Sequence, residues 1–416
     1  MTKSSKADQL QTEAACAGLY GKQRHLDGTL QRERIVLHRD AHVAYLLSGL
    51  GQLSGAYSSL DASRPWLCYW IVHSLELIAP GSVPAELADQ VAGFLSRCQD
   101  GAGGFCGGPA QAPHLAPTYA AVCALATLGT ERAYACLDRA RLRSFLLRMK
   151  TAEGGFRMHE DGECDVRGSY TALAVASLAN VLDAELAAGA AEWIASCQTH
   201  EGGIGATPGE EAHGGYTFCG LAGLVLLGAV DRLRVPQLAH WLAQRQMGAE
   251  GGFQGRTNKL VDGCYSFWQG GSFPLLHAAI QQRHRSGGEG RGDDAAAAGA
   301  PPFFNARALL DYVMVCCQVP HGGLRDKPGR SRDYYHTCYC LSGLAIGIAA
   351  LAPGGGGGGE VPDEWLSSAA PVNPVYNISA EKAEAMLSHF AAFAVPRPAS
   401  CADSVQVGIL LVNSDS

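Results

Sequence analysis

The chain has 416 residues, of which 47% are hydrophobic and 17% are charged, and this balance excludes a chain that is disordered throughout. Its 32 basic and 39 acidic residues give a formal net charge of −7, which argues against a basic nucleic-acid-binding domain. Glycine is enriched, with 52 residues, well above the average share of about 7%.

The N-terminal residues 1–29 are predicted to form a flexible segment, because they are polar and contain no apolar stretch typical of a secretion signal. Fifteen cysteines are scattered without a pairing pattern, and the longest apolar run, Tyr216–Val230, is too short to span a bilayer. These features predict a soluble cytoplasmic protein with reduced thiols and no stable membrane insertion.

An internal repeat dominates the rest of the sequence. A Gly-Gly pair followed by a bulky apolar residue recurs at intervals of about 50 residues, with a longer last interval. The pairs are Gly103-Gly104, Gly154-Gly155, Gly202-Gly203, Gly251-Gly252 and Gly322-Gly323. The long interval contains residues 286–302, rich in Gly, Asp, Ala and Pro, which are predicted to be a disordered insert.

Each Gly-Gly pair separates two segments with helical spacing. The segment before it is amphipathic, as in Leu142, Phe145, Leu146 and Met149, and the segment after it opens with a tyrosine and is apolar on most faces. We therefore expect an outer and an inner helix in each repeat, with the glycines as helix C-caps and tight turns. A further pair is expected around residues 34–77.

About six such hairpins would close into an all-α barrel, a helical toroid over residues 30–396. Residues 354–359 are predicted to be a glycine-rich loop, residues 380–394 a final amphipathic helix, and residues 397–416 a C-terminal tail. No recurring β-strand pattern is present.

A possible zinc site lies at the rim where the inner helices begin. Asp262, Cys264 and His336 offer a carboxylate, a thiolate and an imidazole, and three protein ligands leave one position open for a substrate. Their separation in sequence fits no zinc finger. The alternative is a structural aspartate, a buried cysteine and a rim histidine. Spacing alone is a weak signal for a metal, and the shared position of these residues within their repeats strengthens it.

The same rim carries a basic cluster. His213, Arg256, Lys259 and Arg330 lie near the phenol of Tyr265 in an otherwise acidic chain, which indicates a site for an anion such as diphosphate, although each could be ordinary solvated charge. Asp326 adds a carboxylate that could hold Mg²⁺ beside the diphosphate.

A third group is aromatic and lies on the inner helices. Such residues are more often core than ligand contacts, but a wide toroid cannot fill its own centre, so an aromatic funnel for an apolar chain is the alternative. The residues are Trp66, Trp70, Tyr170, Tyr216, Trp268, Tyr335 and Tyr339.

The sequence resembles the β subunits of protein farnesyltransferases over nearly its whole length, from about residue 30 to 396. The resemblance is carried by five motifs: LDASRPWLCYW at 60–70, PHLAPTY at 113–119, EAHGGYTFCG at 211–220, NKLVDGCYSFW at 258–268 and YHTCYC at 335–340. It implies an α–α barrel that pairs with an α subunit and transfers farnesyl from farnesyl diphosphate to the cysteine of a C-terminal CaaX sequence.

The resemblance also implies residue roles. Asp262, Cys264 and His336 match the zinc ligands, and Asp326 matches the carboxylate associated with Mg²⁺. His213, Arg256, Lys259 and Tyr265 match the diphosphate-binding set and, with Mg²⁺, would stabilise the departing diphosphate; Lys259 and Tyr265 are counted among the catalytic residues. Arg330 stands where lysine is more usual. Positions near the peptide match Trp66, Trp70, Arg167 and Tyr335. The residues that match the wall of the family's isoprenoid pocket are Tyr170, Tyr216, Cys219 and Trp268. Trp66 and Tyr339 match positions where bulky rings shorten that pocket.

Three other functions are alternatives to this one. The β subunit of geranylgeranyltransferase type I is the main alternative, but Asp326 and the bulky rings favour the farnesyl enzyme. A terpene cyclase lacks support because its Asp-x-Asp-Asp motif is absent. A catalytically inactive helical scaffold is disfavoured by the intact metal, diphosphate and aromatic sets.

Overall fold

Two concentric layers of helices account for most of the computed structural model, which describes residues 2–285, 303–351 and 362–396. The predicted insert 286–302, the glycine-rich loop 354–359 and the tail 397–416 lie outside the described residues. In the described ranges the α-helices are α1 Lys3–Gly21, α2 Arg39–Gly49, α3 Arg64–Ile78, α4 Ala85–Cys98, α5 Leu115–Leu128, α6 Glu131–Ala135, α7 Arg139–Met149, α8 Val166–Leu178, α9 Ala184–Ala187, α10 Ala190–Ser196, α11 Gly214–Leu226, α12 Val235–Ala243, α13 Tyr265–Trp268, α14 Ser272–Arg285, α15 Ala306–Asp311, α16 Tyr334–Leu351, α17 Asp363–Leu366 and α18 Ala380–Ala391.

Shorter elements connect these helices. Helix α15 continues into a π-helical turn, Tyr312–Cys317, and 3₁₀ turns occupy Arg32–Arg34, Gly55–Ser63 and Val230–Arg232. Two antiparallel pairs of two-residue strands are present: β1 Leu324–Arg325 with β2 Arg332–Asp333, and β3 Val372–Asn373 with β4 Ile378–Ser379.

The inner layer is a closed ring. Helix α3 packs against α5, α5 against α8, α8 against α11, α11 against α13 and α14, α13 against α16, and α16 against α3. Helices α13 and α14 follow one another in the chain and together take one of six inner positions, and an outer helix packs at each position: α2, α4, α7, α10, α12 and α15. The predicted all-α toroid is confirmed, and because every inner helix follows an outer helix and a turn, the inner N-termini gather at one rim.

The repeated glycines form tight turns, but the prediction that they cap helices is wrong. Helix α7 ends at Met149, five residues before Gly154, and the intervening chain pairs back on itself through a Lys150–Phe156 bridge. Gly154 has φ = 97°, and a Cβ atom there would lie 2.3 Å from the carbonyl oxygen of Gly189. The positive φ of this turn and its close approach to Gly189, and not helix termination, require glycine at this position.

The second glycine of each repeat lies against an aromatic ring from the next outer helix. A Cβ atom at any of these glycines would come within 2.8 Å of that ring, so the glycine makes room for it. The five pairs are Gly104 with Phe145, Gly155 with Trp193, Gly203 with Trp241, Gly252 with Tyr312, and Gly323 with Tyr45.

The prediction that residues 1–29 are flexible is wrong for residues 3–21, which form helix α1. The side chain of Gln9 donates to the buried carboxyl of Glu250 at 2.8 Å, and the hydroxyl of Tyr20 donates to the Glu250 carbonyl at 2.7 Å. Cys16 is fully buried against the core. A polar stripe therefore fixes this helix, and hydrophobic patterning could not reveal it.

The C-terminal hairpin β3–β4 packs against the inner helices α3, α5 and α16. Three hydroxyls hold its backbone: Tyr69 donates to the carbonyl of Asn377 at 2.6 Å, Tyr119 to Tyr376 at 2.7 Å and Tyr170 to Val375 at 2.8 Å. The predicted final helix is confirmed as α18, which ends at Ala391 and packs against α5 and α8. Within the described ranges no helix is both long and apolar enough to cross a membrane.

Two fully buried histidines make the fold sensitive to acid. Burial lowers the pKa of His42 to about 4 and that of His73 to about 3, and their imidazoles meet Gln318 and Ser342. Below the ordinary pKa of about 6.5 the unfolded chain takes up these protons and the folded chain does not, so stability is complete above that pH and falls as the pH drops.

We expect each buried histidine to lower the free energy of unfolding by about 2 kcal/mol at pH 5 relative to pH 8, because one pKa unit corresponds to about 1.4 kcal/mol. Urea unfolding at both pH values would measure this, and His73→Gln should reduce the difference between them. His321→Gln, at an exposed position, serves as the control. An equal pH dependence in all three proteins would contradict the prediction.

Candidate functional site

The three predicted metal ligands meet at the rim where the inner helices begin. One ligand atom from each of Asp262, Cys264 and His336 lies within 4.8 Å of the other two. Asp262 and Cys264 precede α13, and His336 lies in the first turn of α16, so neighbouring inner helices bring them together. No other set of three such groups is this close among the described residues.

Local hydrogen bonds orient these donors. The imidazole Nδ1 of His336 lies 2.7 Å from the carboxylate of Asp333, which leaves Nε2 facing Asp262 at 3.3 Å. The backbone N–H groups of His336 and Cys264 donate to Asp333 and Asp262. A carboxylate behind a histidine is the usual support of a metal ligand, so Asp333 has a role that the sequence analysis did not assign.

The charges around this cluster are those of a cation site. Although burial opposes it, the neighbouring His336 lowers the pKa of Asp262 to about 2. Burial alone would lower the pKa of His336, but Asp262 and Asp333 raise it to about 10. Burial and the Asp262 charge raise the pKa of the Cys264 thiol. The two carboxylates beside His336 favour positive charge at this position, which is the electrostatic requirement of a divalent cation site.

The predicted anion site adjoins the metal cluster. His213 is the N-cap of α11, and its Nδ1 accepts from the Gly215 N–H at 3.1 Å, while its Nε2 lies 2.9 Å from the hydroxyl of Tyr265. Burial and the charge of Arg256 lower the pKa of His213, which favours the neutral ring. The proton then lies on Nε2 and is donated to Tyr265, so the phenol proton is free to donate to a ligand.

Three of the predicted cations take different positions at this rim. Arg256 forms an ion pair with the exposed carboxylate of Glu211, a partner that the sequence analysis did not identify. Lys259 and Arg330 are exposed, each within four residues of a predicted metal carboxylate. The structure therefore brings His213 and Tyr265 into contact. For Lys259 and Arg330 it shows only that the loops that carry them lie near the predicted metal carboxylates.

Asp326 is half-buried and forms an ion pair with its neighbour Lys327. Burial, with the nearby charge of Asp262, raises the pKa of Asp326. Its Oδ1 atom has no hydrogen-bond partner among the described residues. One oxygen is thus available for a cation, which is compatible with Mg²⁺ held by a single carboxylate and substrate phosphates.

An unbroken circuit of aromatic rings lines the interior of the barrel. Neighbouring centroids are 4.6–5.7 Å apart around the sequence Trp66, Tyr119, Tyr170, Phe218, Trp268, Tyr339, Tyr335, Trp70 and back to Trp66. Tyr119 and Phe218 were not singled out from the sequence as site residues, although Tyr119 is the repeat tyrosine of its hairpin.

The rings of this circuit differ in how far they are exposed to solvent. Tyr119, Tyr170 and Tyr339 are at most 1% exposed, whereas Trp66 and Trp268 are partly exposed. Cys219, at 4% exposure, lies on α11 near this wall. A wall of aromatic rings, some of them partly exposed, suits contact with an apolar chain.

Arg167 and Tyr216 lie together at the rim. The guanidinium of Arg167 lies 5.8 Å above the ring of Tyr216 and is bound by Asp165, the N-cap of α8, and more loosely by Glu163. Hydrogen bonding to Asp165 raises the pKa of Arg167, so its charge is permanent. Arg167 is 45% exposed and remains accessible to an anion.

Comparison with known proteins agrees with this arrangement. The Prenyltransferase alpha-alpha toroid domain family matches residues 37–378. The chain is 45% identical to the protein farnesyltransferase subunit beta of Arabidopsis thaliana, over 82% of this chain and 80% of that protein. The chain belongs to the protein farnesyltransferase β-subunit family. The predicted resemblance is confirmed, and with it membership of the protein prenyltransferase enzymes.

The geranylgeranyl alternative is less well supported. The geranylgeranyl transferase type-1 subunit beta of Arabidopsis thaliana is 31% identical over 58% of this chain and 61% of that protein. Both relatives come from one organism, so the difference in identity favours the farnesyl family. A Candida albicans protein geranylgeranyltransferase-I complexed with GGPP has a TM-score of 0.69, covers 86% of this chain and all of its own, and is 20% identical, which supports the fold alone.

Proposed function

We propose that this chain is the catalytic β subunit of a zinc-dependent protein farnesyltransferase, which transfers farnesyl from farnesyl diphosphate to the thiol of a C-terminal CaaX cysteine. The observation that carries the proposal is the meeting of three zinc-type donors at the mouth of an aromatic-lined barrel. A candidate metal site, a candidate anion site and a wall of aromatic rings would match the three chemical parts of this reaction.

Asp262, Cys264 and His336 would hold one zinc ion, since carboxylate, thiolate and imidazole are its usual ligands and Asp333 already orients His336. When bound, zinc would supply the positive charge that stabilises a substrate thiolate at neutral pH. Asp262 and Cys264 fix the position of that charge because one backbone turn holds both. Tyr335, whose ring lies 4.9 Å from that of His336, limits the space beside it.

The diphosphate would bind beside Tyr265. The free phenol proton of Tyr265 would be donated to a phosphate oxygen, and His213 would keep the phenol in this orientation. Arg256 would exchange Glu211 for the more highly charged diphosphate, and Lys259 and Arg330 would add charge from the exposed edge. These donors stabilise the charge that develops as the bond to the isoprenoid breaks.

Two further features concern the donor. Asp326 would contribute its free oxygen to a Mg²⁺ ion bound with the diphosphate. The farnesyl chain would lie along Tyr170, Tyr216, Cys219 and Trp268, and Trp66 and Tyr339 would limit its length. Tyr339 is fully buried, and its ring would leave a longer donor no additional room.

The peptide and the partner subunit complete the proposal. Trp66, Trp70, Arg167 and Tyr335 would contact the CaaX segment, and the accessible charge of Arg167 suits its terminal carboxylate. The names of the relatives describe them as β subunits, and we propose a heterodimer with an α subunit. All fourteen cysteines in the described part of the chain are free thiols, which supports a cytoplasmic location.

The test is to purify the chain with a farnesyltransferase α subunit, measure its zinc content, and assay transfer to a CaaX peptide from farnesyl and geranylgeranyl diphosphate. The same peptide with serine in place of cysteine is the control. About one zinc per heterodimer and a preference for farnesyl are expected. A zinc-free heterodimer without transfer would indicate a binding scaffold, and a preference for geranylgeranyl would revive the alternative.

A further inference from the structure

The backbone carbonyl of Asp326 joins the metal loop to the loop that carries the Asp326 carboxylate. It accepts a hydrogen bond from the N–H of Gly263 at 2.7 Å and another from the hydroxyl of Tyr312 at 2.8 Å. Gly263 lies between the ligands Asp262 and Cys264 in the chain. One carbonyl oxygen therefore connects the zinc ligands, the Asp326 loop and the outer layer of the barrel.

The contact between the two loops allows little independent movement. A Cβ atom at Gly263 would lie 2.6 Å from the sulfur of Cys340, 2.9 Å from the carbonyl oxygen of Arg325 and 3.1 Å from that of Asp326. The metal loop thus packs directly on the backbone of residues 325–326. Any displacement of the Asp326 carbonyl would be passed on to Gly263 and to the ligands on either side of it.

The ring of Tyr312 has a structural role that its hydroxyl does not share. In every repeat an aromatic ring packs on the second glycine, and the first repeat uses Phe145 for this purpose. Packing therefore requires a ring but no hydroxyl. Tyr45 is the equivalent tyrosine of the last repeat, and its hydroxyl has no hydrogen-bond partner among the described residues. The Tyr312 hydroxyl, by contrast, bonds to a carbonyl beside the metal loop.

The local backbone is also unusual at this point. Tyr312 begins the π-helical turn Tyr312–Cys317, a conformation that is rare and is found frequently at functional sites. The same turn makes a second link, because the carbonyl of Cys316 accepts from the Arg325 side chain at 3.1 Å. The Tyr312 side chain is fully buried, so its hydroxyl donates from within the packed outer layer.

We propose that the hydroxyl of Tyr312 is a positioning group, which fixes the zinc-binding loop relative to the Asp326 carboxylate through the Asp326 carbonyl. This inference deepens the proposed function and rests on zinc binding by Asp262, Cys264 and His336. Tyr312 itself touches no substrate.

The test compares wild type, Tyr312→Phe and Tyr45→Phe, each purified with the α subunit. Phenylalanine keeps the ring and removes only the hydroxyl. Zinc release to a chromogenic chelator should be about 10-fold faster in Tyr312→Phe, the effect typical of losing an outer support of a metal ligand. The absorption spectrum of the cobalt-substituted protein should change in Tyr312→Phe alone. Tyr45→Phe should match wild type in both measurements.

Wild-type release rates and spectra in Tyr312→Phe would overturn the inference, as would equal effects in both variants, since these would reflect a general loss of stability. Zinc-loaded wild type without prenyl transfer would contradict the proposed reaction, while the release rates would still decide the role of Tyr312. A wild-type heterodimer that binds no zinc would contradict both.

Discussion

Cys264→Ala should lose its zinc and lower prenyl transfer by more than roughly 100-fold, because removing a direct ligand should exceed the 10- to 100-fold effect of losing an outer support. Cys264 is 3% exposed and lies on the turn that also carries Asp262, so it is the thiol that this turn supplies to the cluster. The two remaining donors, Asp262 and His336, face each other at 3.3 Å and would leave only two protein ligands where zinc sites use three or four.

Zinc content per heterodimer and the rate of farnesyl transfer measure this effect. Cys197→Ala is the matched control, because Cys197 is equally buried but lies at the end of the outer helix α10. It should keep its zinc and its activity. Full zinc retention by Cys264→Ala would remove this cysteine from the metal site.

Trp66→Ala should shift donor preference toward geranylgeranyl diphosphate by about 100-fold in the ratio of kcat/KM values, the range that shape selection in an apolar pocket provides. The indole of Trp66 lies 5.7 Å from the ring of Tyr119 and 5.6 Å from that of Trp70, so its loss opens the aromatic circuit at one point. The longer donor has one more isoprene unit, which requires this space.

Competition between the two diphosphates in one reaction measures the ratio directly. Phe94→Ala provides a control, since Phe94 is a large aromatic residue on the outer helix α4. It should leave the preference unchanged. An unaltered preference in Trp66→Ala would mean that Trp66 does not set the length of the pocket.

The repeat was the most informative part of the sequence. Glycine pairs spaced by about 50 residues and tyrosines that open apolar segments placed five of the six inner helices, because both features follow from close packing between layers. The same register placed Asp262, Cys264 and His336 at one rim. The resemblance to the farnesyltransferase β family supplied the individual roles of these residues.

Sequence reasoning missed mainly polar contacts between segments that are far apart in the chain. Helix α1 is held by Gln9, Tyr20 and Glu250, and no periodicity marks a polar stripe that docks on a buried carboxyl. The hydrogen bond between Tyr312 and the Asp326 carbonyl joins a side chain to a backbone atom, which a residue pattern cannot reveal. Asp333 lies three residues before His336 in the sequence, but only the structure shows that it contacts the imidazole Nδ1.

Closure of the inner ring constrains how the protein can be made. Helices α3 and α16 are neighbours in space, and the His73–Ser342 hydrogen bond between them joins residues 269 positions apart. During synthesis α3 leaves the ribosome long before α16 exists, so its apolar surface has no final partner until most of the chain has been translated. A nascent chain with such a late, long-range contact folds slowly and exposes apolar surface meanwhile, so chaperone assistance should raise the yield.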